Sequence, residues 1–183
     1  MTTLNTVDNH QLNSKMIALL EKFNSVEHYA NGLRIFAQKQ EVFEPIWTAY
    51  VEMLEHGKLD RELKELIRAK IAENNECSPY AEKRKKIKPP ILLKEITETM
   101  KGKLDEVGSY ETSTIFSCRE KLAIKFAEKL GVEPESLDDK FFFELRKEFT
   151  DPEIVELGHV SAVGIGFERF LAVWTPRICD ISP

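Results

Sequence analysis

The sequence predicts an all-α fold, and three observations carry the prediction. Glycine and proline are scarce, eight of each in 183 residues. Alternating apolar and polar runs of strand length are nearly absent, and apolar residues recur instead at spacings of three and four. At 42% hydrophobic and 31% charged, the chain has enough apolar surface to bury a core and enough charge to stay in solution. We read residues 1–11 as a flexible lead and 12–183 as a single helical domain with a central, buried C-terminal helix.

The first helix is expected over Asn13–Phe23, where Met16, Leu19, Leu20 and Phe23 recur at helical spacing. A second is expected over Phe43–His56, carrying Ile46, Trp47, Tyr50, Val51 and Leu54, with Gly57 placed to stop it in the left-handed conformation. Asp60 suits the N-cap of a third over Arg61–Asn74, whose Leu63, Leu66, Ile67 and Ile71 form a core stripe. Ser78-Pro79 has the form of another helix start, Pro89-Pro90 of a break, and a helix over Ile91–Lys103 follows. Ser117-Cys118-Arg119-Glu120 is a capping box that opens a helix closed by Gly131. Leu137–Phe149 is next, and Asp151-Pro152-Glu153 opens the last helix, to about Trp174. That helix is apolar nearly all round, which predicts a central position. Its Gly158, Ala162 and Gly166 make a narrow ridge at four-residue steps, against which another helix or a ligand can come close.

A net charge of -5 and a pI of about 5.5 disfavour general affinity for nucleic acid or anionic membranes. The run Lys83-Arg84-Lys85-Lys86-Ile87-Lys88 is a local exception that reads as a solvated helix end or loop. The most apolar stretch, Ile154–Trp174, is broken by Glu156, His159, Glu168 and Arg169, so no membrane span is expected. Met1–Leu12 lacks the basic and apolar blocks of a signal peptide, which points to the cytoplasm. Cys77, Cys118 and Cys179 are widely spaced and odd in number, unlike a secreted disulfide framework or a four-ligand zinc site. His10, His28 and His56 are isolated, and no metal site is expected.

The chemistry points to residues 60–84. Glu65 has Ala69 and Ala72 beside it, so its flank is made of small side chains and its carboxylate can look into a pocket. Cys77 precedes the Ser78-Pro79 helix start, where unpaired N–H groups and the positive end of the helix dipole favour a thiolate. Tyr80 and Arg84 follow three and seven positions on and share its face of that helix. Arg84 favours the thiolate or clamps a substrate carboxylate. A packed, unreactive cysteine is the plainer alternative. Further on, His159 and Arg169 interrupt the apolar last helix. His159 reads as a hydrogen-bonded core histidine or as a second proton carrier on a pocket wall. Arg169 reads as the partner of a carboxylate at a helix or subunit contact, or as a substrate anchor. Trp47, Tyr50 and Phe141-Phe142-Phe143 read as core or oligomer contact.

Leu59-Asp60-Arg61-Glu62-Leu63-Lys64-Glu65-Leu66-Ile67-Arg68, with Cys77 twelve positions after Glu65, resembles the core motif of the alkyl hydroperoxidase D and carboxymuconolactone decarboxylase superfamily. Ser117-Cys118-Arg119-Glu120-Lys121, Asp138-Asp139, Phe149-Thr150-Asp151-Pro152-Glu153-Ile154-Val155-Glu156-Leu157 and Gly166-Phe167-Glu168-Arg169-Phe170 are similar to the C-terminal pattern of its peroxidase-related members. The resemblance covers about residues 33–174. It implies an all-helical subunit that assembles into a homo-oligomer, a dimer, trimer or hexamer, and acts on a small molecule without a cofactor. Glu65 matches the glutamate of the peroxidase motif and Cys77 its first cysteine, whereas Tyr80 stands at the second cysteine position and Arg84 at the histidine position. Tyrosine cannot resolve a sulfenic acid, so the two-cysteine mechanism is excluded. What remains is a one-cysteine peroxidase: Cys77 attacks the peroxide, Glu65 manages the proton through water, and an outside thiol reduces the product. Cys118 or Cys179 resolves it only if the fold brings one close. The decarboxylase branch suggests an alternative lyase, with Glu65 or His159 moving the proton, Tyr80 donating to an oxyanion and Arg84 holding a carboxylate. A third expectation is a scaffold that has lost catalysis and binds a ligand or assembles.

Overall fold

Local caps set most of the helix boundaries. The computed structural model describes residues 4–21, 27–74 and 96–178. Along these run α1 (Ser14–Glu21), α2 (Glu27–Phe36), α3 (Gln40–Glu55), α4 (Arg61–Asn74), α5 (Glu98–Asp105), α6 (Cys118–Val132), α7 (Asp139–Glu148) and α8 (Asp151–Ile178). Short 3-10 turns separate several of them, and no strand occurs among the described residues. Asp60 Oδ1 accepts the Leu63 amide at 2.7 Å and starts α4, and Ser117 and Glu120 form the expected capping box on α6. Asp138 caps α7 through the Phe141 amide at 2.8 Å. Gly57, with a φ of 118°, turns the chain out of α3 as the sequence predicted.

One helix, α2, was not anticipated, and several boundaries differ from expectation: α3 begins at Gln40 rather than Phe43, and α8 runs to Ile178 rather than to about Trp174. Gly32 of α2 serves packing: a Cβ there would run into Leu171 of α8. Of the helix expected over Ile91–Lys103, residues 91–95 lie outside the described residues, and α5 starts after the Thr97 cap, whose hydroxyl accepts the Met100 amide at 3.1 Å. Helix α6 passes through Gly131 to Val132, and the Glu133 amide still closes on the Lys129 carbonyl at 2.8 Å. The predicted Ser78-Pro79 start, the Pro89-Pro90 break and the Lys83–Lys88 run lie outside the described residues.

Helix α4 lies against α3, α5, α6 and α8, and α8 in turn reaches α2, α3, α6 and α7, so the C-terminal helix is central as predicted. Leu63, Ile67 and Ile71 of α4 join Met16, Leu33, Trp47, Leu145, Leu157 and Val160 in the main core. Leu66 turns to a second cluster with Met100, Val107, Tyr110, Phe116 and Ile124. Burying each such side chain stabilises the fold by roughly 1.5–3 kcal/mol before ordering costs. Among the described residues, the small-residue ridge of α8 is not where helices meet. None of them lies within 4 Å of where a Cβ on Gly158 or Gly166 would stand, and Ala162 is exposed, as are Val155, Phe170 and Val173. The close approach is at Gly164, where a Cβ would stand 2.9 Å from the Tyr50 hydroxyl oxygen of α3. Among the described residues, no helix is long and apolar enough to cross a membrane.

Candidate functional site

Helix α4 buries four charged side chains, Lys64, Glu65, Arg68 and Lys70. Buried charge is costly unless compensated, so each needs a physical reason. Lys64, 1% exposed, is a latch. Its ammonium pairs with Glu156 of α8 at 2.6 Å and donates to the Met53 and His56 carbonyls of the preceding corner. Glu156 also accepts the Lys58 and Leu59 amides at 2.7 and 3.3 Å. Burial works against the Glu156 carboxylate, but the Lys64 ammonium and these amides prevail and hold its pKa below the usual carboxylate range. Lys70 is a second latch. It lies 2.9 Å from both Glu73 and Glu128 of α6, and Glu128 accepts the Tyr110 hydroxyl at 2.6 Å.

The Glu65–Arg68 pair is different. Arg68 Nη1 donates to the two oxygens of Glu65 at 3.0 and 2.9 Å, and the residues are 5% and 2% exposed. Both stand on α4 three positions apart, so the ion pair itself forms within one turn of one helix. Around it are the buried Tyr50 hydroxyl, which accepts from the Arg68 side chain, and the Glu168 carboxylate of α8. Burial and the Glu168 and Glu65 charges push the Tyr50 hydroxyl up to about 12 against the opposing pull of Arg68. It is therefore a protonated donor at neutral pH. On the same side of α8, Ser161 is fully buried and its hydroxyl has no hydrogen-bond partner. A carboxylate fixed by a guanidinium beside a protonated phenol can take a proton from a neighbouring acid and return it.

Of the residues singled out in the sequence, Glu65 is buried on α4 and its carboxylate closes on Arg68. Cys77, Tyr80, Arg84 and Cys179 lie outside the described residues. His159 is exposed on α8, which corrects the reading of it as a core histidine. Arg169 is exposed and donates to the Gly131 carbonyl rather than to a carboxylate. It borders a cleft of only about 30 Å³ with Ile71, Asn74 and Ile165, room for one water. Cys118 is exposed at the start of α6. Trp47 and Tyr50 are core, and Phe143 is 64% exposed. Among the described residues Glu52, Glu55 and His56 bring donor atoms within 4.8 Å of one another, on the surface. Sequence reasoning missed Arg68 and Tyr50. The i, i+3 spacing of Glu65 and Arg68 on a predicted helix was a usable signal, whereas Tyr50 looked like any member of a core stripe.

The helical bundle has the all-α architecture of alkyl hydroperoxidase D-like proteins. It is similar to the solved structure of the debrominase Bmp8, a cysteine-to-alanine variant in complex with 2,3,4-tribromopyrrole, with a TM-score of 0.71 and 18% sequence identity over 98% of this chain and 97% of that one. No family's sequence pattern matches the chain, and no curated protein does either.

Proposed function

We propose that the chain is a cofactor-free small-molecule enzyme in which Cys77 is the nucleophile and Glu65 manages its proton, acting as a one-cysteine thiol peroxidase. The observation that carries this reading is the burial of the Glu65 carboxylate against Arg68, on a helix whose Glu65 stands twelve positions before Cys77 as in the motif the sequence resembles. In the reaction the Cys77 thiol gives its proton to Glu65 through a water. The thiolate attacks the hydroperoxide, an S–O bond forms, the O–O bond breaks, and the alkoxide leaves with the proton from Glu65. Sulfur is thereby oxidised to the sulfenic acid. Two equivalents of an outside thiol then return Cys77, releasing water and a disulfide. Assembly as a homo-oligomer belongs to the same reading, and the outer stripe of α8 with Val155, Ala162, Gly166, Phe170 and Val173 is the surface it would use.

The ligand of the Bmp8 structure favours a second reading, in which a small halogenated aromatic replaces the peroxide. Cys77 would then take bromine from carbon, the carbanion would gain the proton, and outside thiol would displace bromide and afterwards free the cysteine as a disulfide forms. Both readings are tested together by site-mapped mass spectrometry after brief exposure to substoichiometric organic hydroperoxide with a sulfenate trap, and in parallel to a brominated pyrrole with excess thiol. Fast, selective oxidation at Cys77, weaker by about 10²-fold in Glu65→Gln, supports the peroxidase. Slow or indiscriminate oxidation refutes it, and bromide release dependent on Cys77 selects the second reading.

A further inference from the structure

We propose that Tyr50 is a positioning residue of this site, its hydroxyl setting the orientation of Arg68 and through it of the Glu65 carboxylate. The inference rests on the reading above, in which Glu65 handles the proton of Cys77. Its basis is how completely the ring is determined. Tyr50 is 3% exposed, its centroid 5.5 Å from that of Trp47 and 5.7 Å from that of Phe167 on α8. The hydroxyl therefore has one place to go, between α4 and α8. Helix α8 presents Gly164 there, and a Cβ on Gly164 would stand 2.9 Å from the hydroxyl oxygen and 3.3 Å from Ile71 Cδ1. Helices α3 and α8 thus meet through a notch that the hydroxyl fills.

Phenylalanine would pack in the same aromatic cluster without the cost of burying a polar oxygen. The hydroxyl instead accepts from the Arg68 side chain, whose Nη1 spans both Glu65 oxygens. The charged groups facing it are Glu65 and Arg68 from α4 and Glu168 from α8. Held by its ring, Tyr50 meets Arg68 from a different helix and so ties the orientation of the guanidinium to the packing of α3. A carboxylate that exchanges a proton through one water needs such fixing, because small misplacements of a reacting group cost large factors in rate.

A double-mutant cycle on the full-length chain tests this, reading the rate of Cys77 sulfenylation across pH in wild type, Tyr50→Phe, Glu65→Gln and the double variant, with Gly164→Ala as an independent displacement of the hydroxyl. Tyr50→Phe and Gly164→Ala are each expected to slow the reaction by about 10-fold to 100-fold. Tyr50→Phe is also expected to displace the acid limb of the pH profile, and to have no further effect once Glu65 is glutamine. Losses that add in the double variant with an unmoved acid limb would assign Tyr50 to packing and overturn the inference, as would an unchanged rate. Should wild type and Glu65→Gln react alike, the proposed function itself fails and takes this inference with it, an outcome recognisable without any Tyr50 variant.

Discussion

Lys64 and Glu65 are neighbours on one helix, equally hidden from water, and their partners could hardly differ more. Lys64 reaches across the molecule to Glu156 and to two carbonyls of the α3–α4 corner, so its charge fastens segments nearly a hundred residues apart. Glu65 closes on Arg68 one turn along its own helix, beside the Tyr50 hydroxyl. A buried ion pair is weak evidence for stability, since desolvation offsets most of its attraction. Where such a pair joins distant elements, the fold explains it. A pair formed within one turn makes no such link by its own charges, and the proposed chemistry gives it a reason. The comparison sorts the motif residues too. Arg119 pairs with Glu153 at 2.7 Å, donates to the Glu148 carbonyl and stacks over Phe149 at 3.9 Å, clamping α6 to the α7–α8 corner. Arg169 ties α8 to the end of α6. Many of the residues that carry the resemblance are latches, which is why they report the fold so well and the reaction so poorly.

The largest expected effect is on the Lys64 side. Lys64→Met leaves Glu156 without its cation and is expected to cost about 3 kcal/mol, measured as the change in unfolding free energy in urea. A loss below about 1 kcal/mol would undo the distinction between latch and site. A smaller, pH-dependent effect is expected at Glu153. The amide and hydroxyl of Thr150, each at 2.7 Å, and then Arg119 hold its pKa down to about 2. A carboxylate depressed in the folded state stabilises above its unfolded pKa and loses that contribution as the pH falls through the folded one. The gap in urea midpoint between wild type and Glu153→Gln is therefore expected to be present at neutral pH and to close as the pH falls from the ordinary carboxylate range toward about 2. A gap of constant size would remove Glu153 from the charged latches.

Much of the architecture was legible because it is written in local chemistry. Asp60, Ser117 with Glu120, and Gly57 act on residues three or four positions away, and that range is visible in a sequence. What failed depended on distant partners. Helix α2 was missed, and the use of its Gly32 shows only when Leu171, far along the chain, is seen to occupy the space of the missing side chain. His159 interrupts an apolar helix and so reads as buried, but an apolar composition all round a helix does not say which side is covered. The site was half legible. Glu65 was marked as a candidate by its spacing to Cys77 and its small neighbours, while the role proposed for Tyr50 depends on helix α8 arriving at Gly164, over a hundred residues later.

The smallest expected effect on stability is the sharpest test of the comparison. Replacing Glu65, Arg68 and Tyr50 together by Leu, Met and Phe removes both charges of the ion pair and the hydroxyl beside them at once, so none of the three is left facing a missing partner among the other two. Apolar side chains of similar volume in place of a buried ion pair are often neutral or stabilising. The triple variant is therefore expected to unfold within about 2 kcal/mol of wild type, less than the single change at Lys64, while the selective oxidation of Cys77 is lost. If the cluster instead proves as costly to replace as Lys64, its charges serve the fold, and a buried pair within one helix is no longer a sign of chemistry.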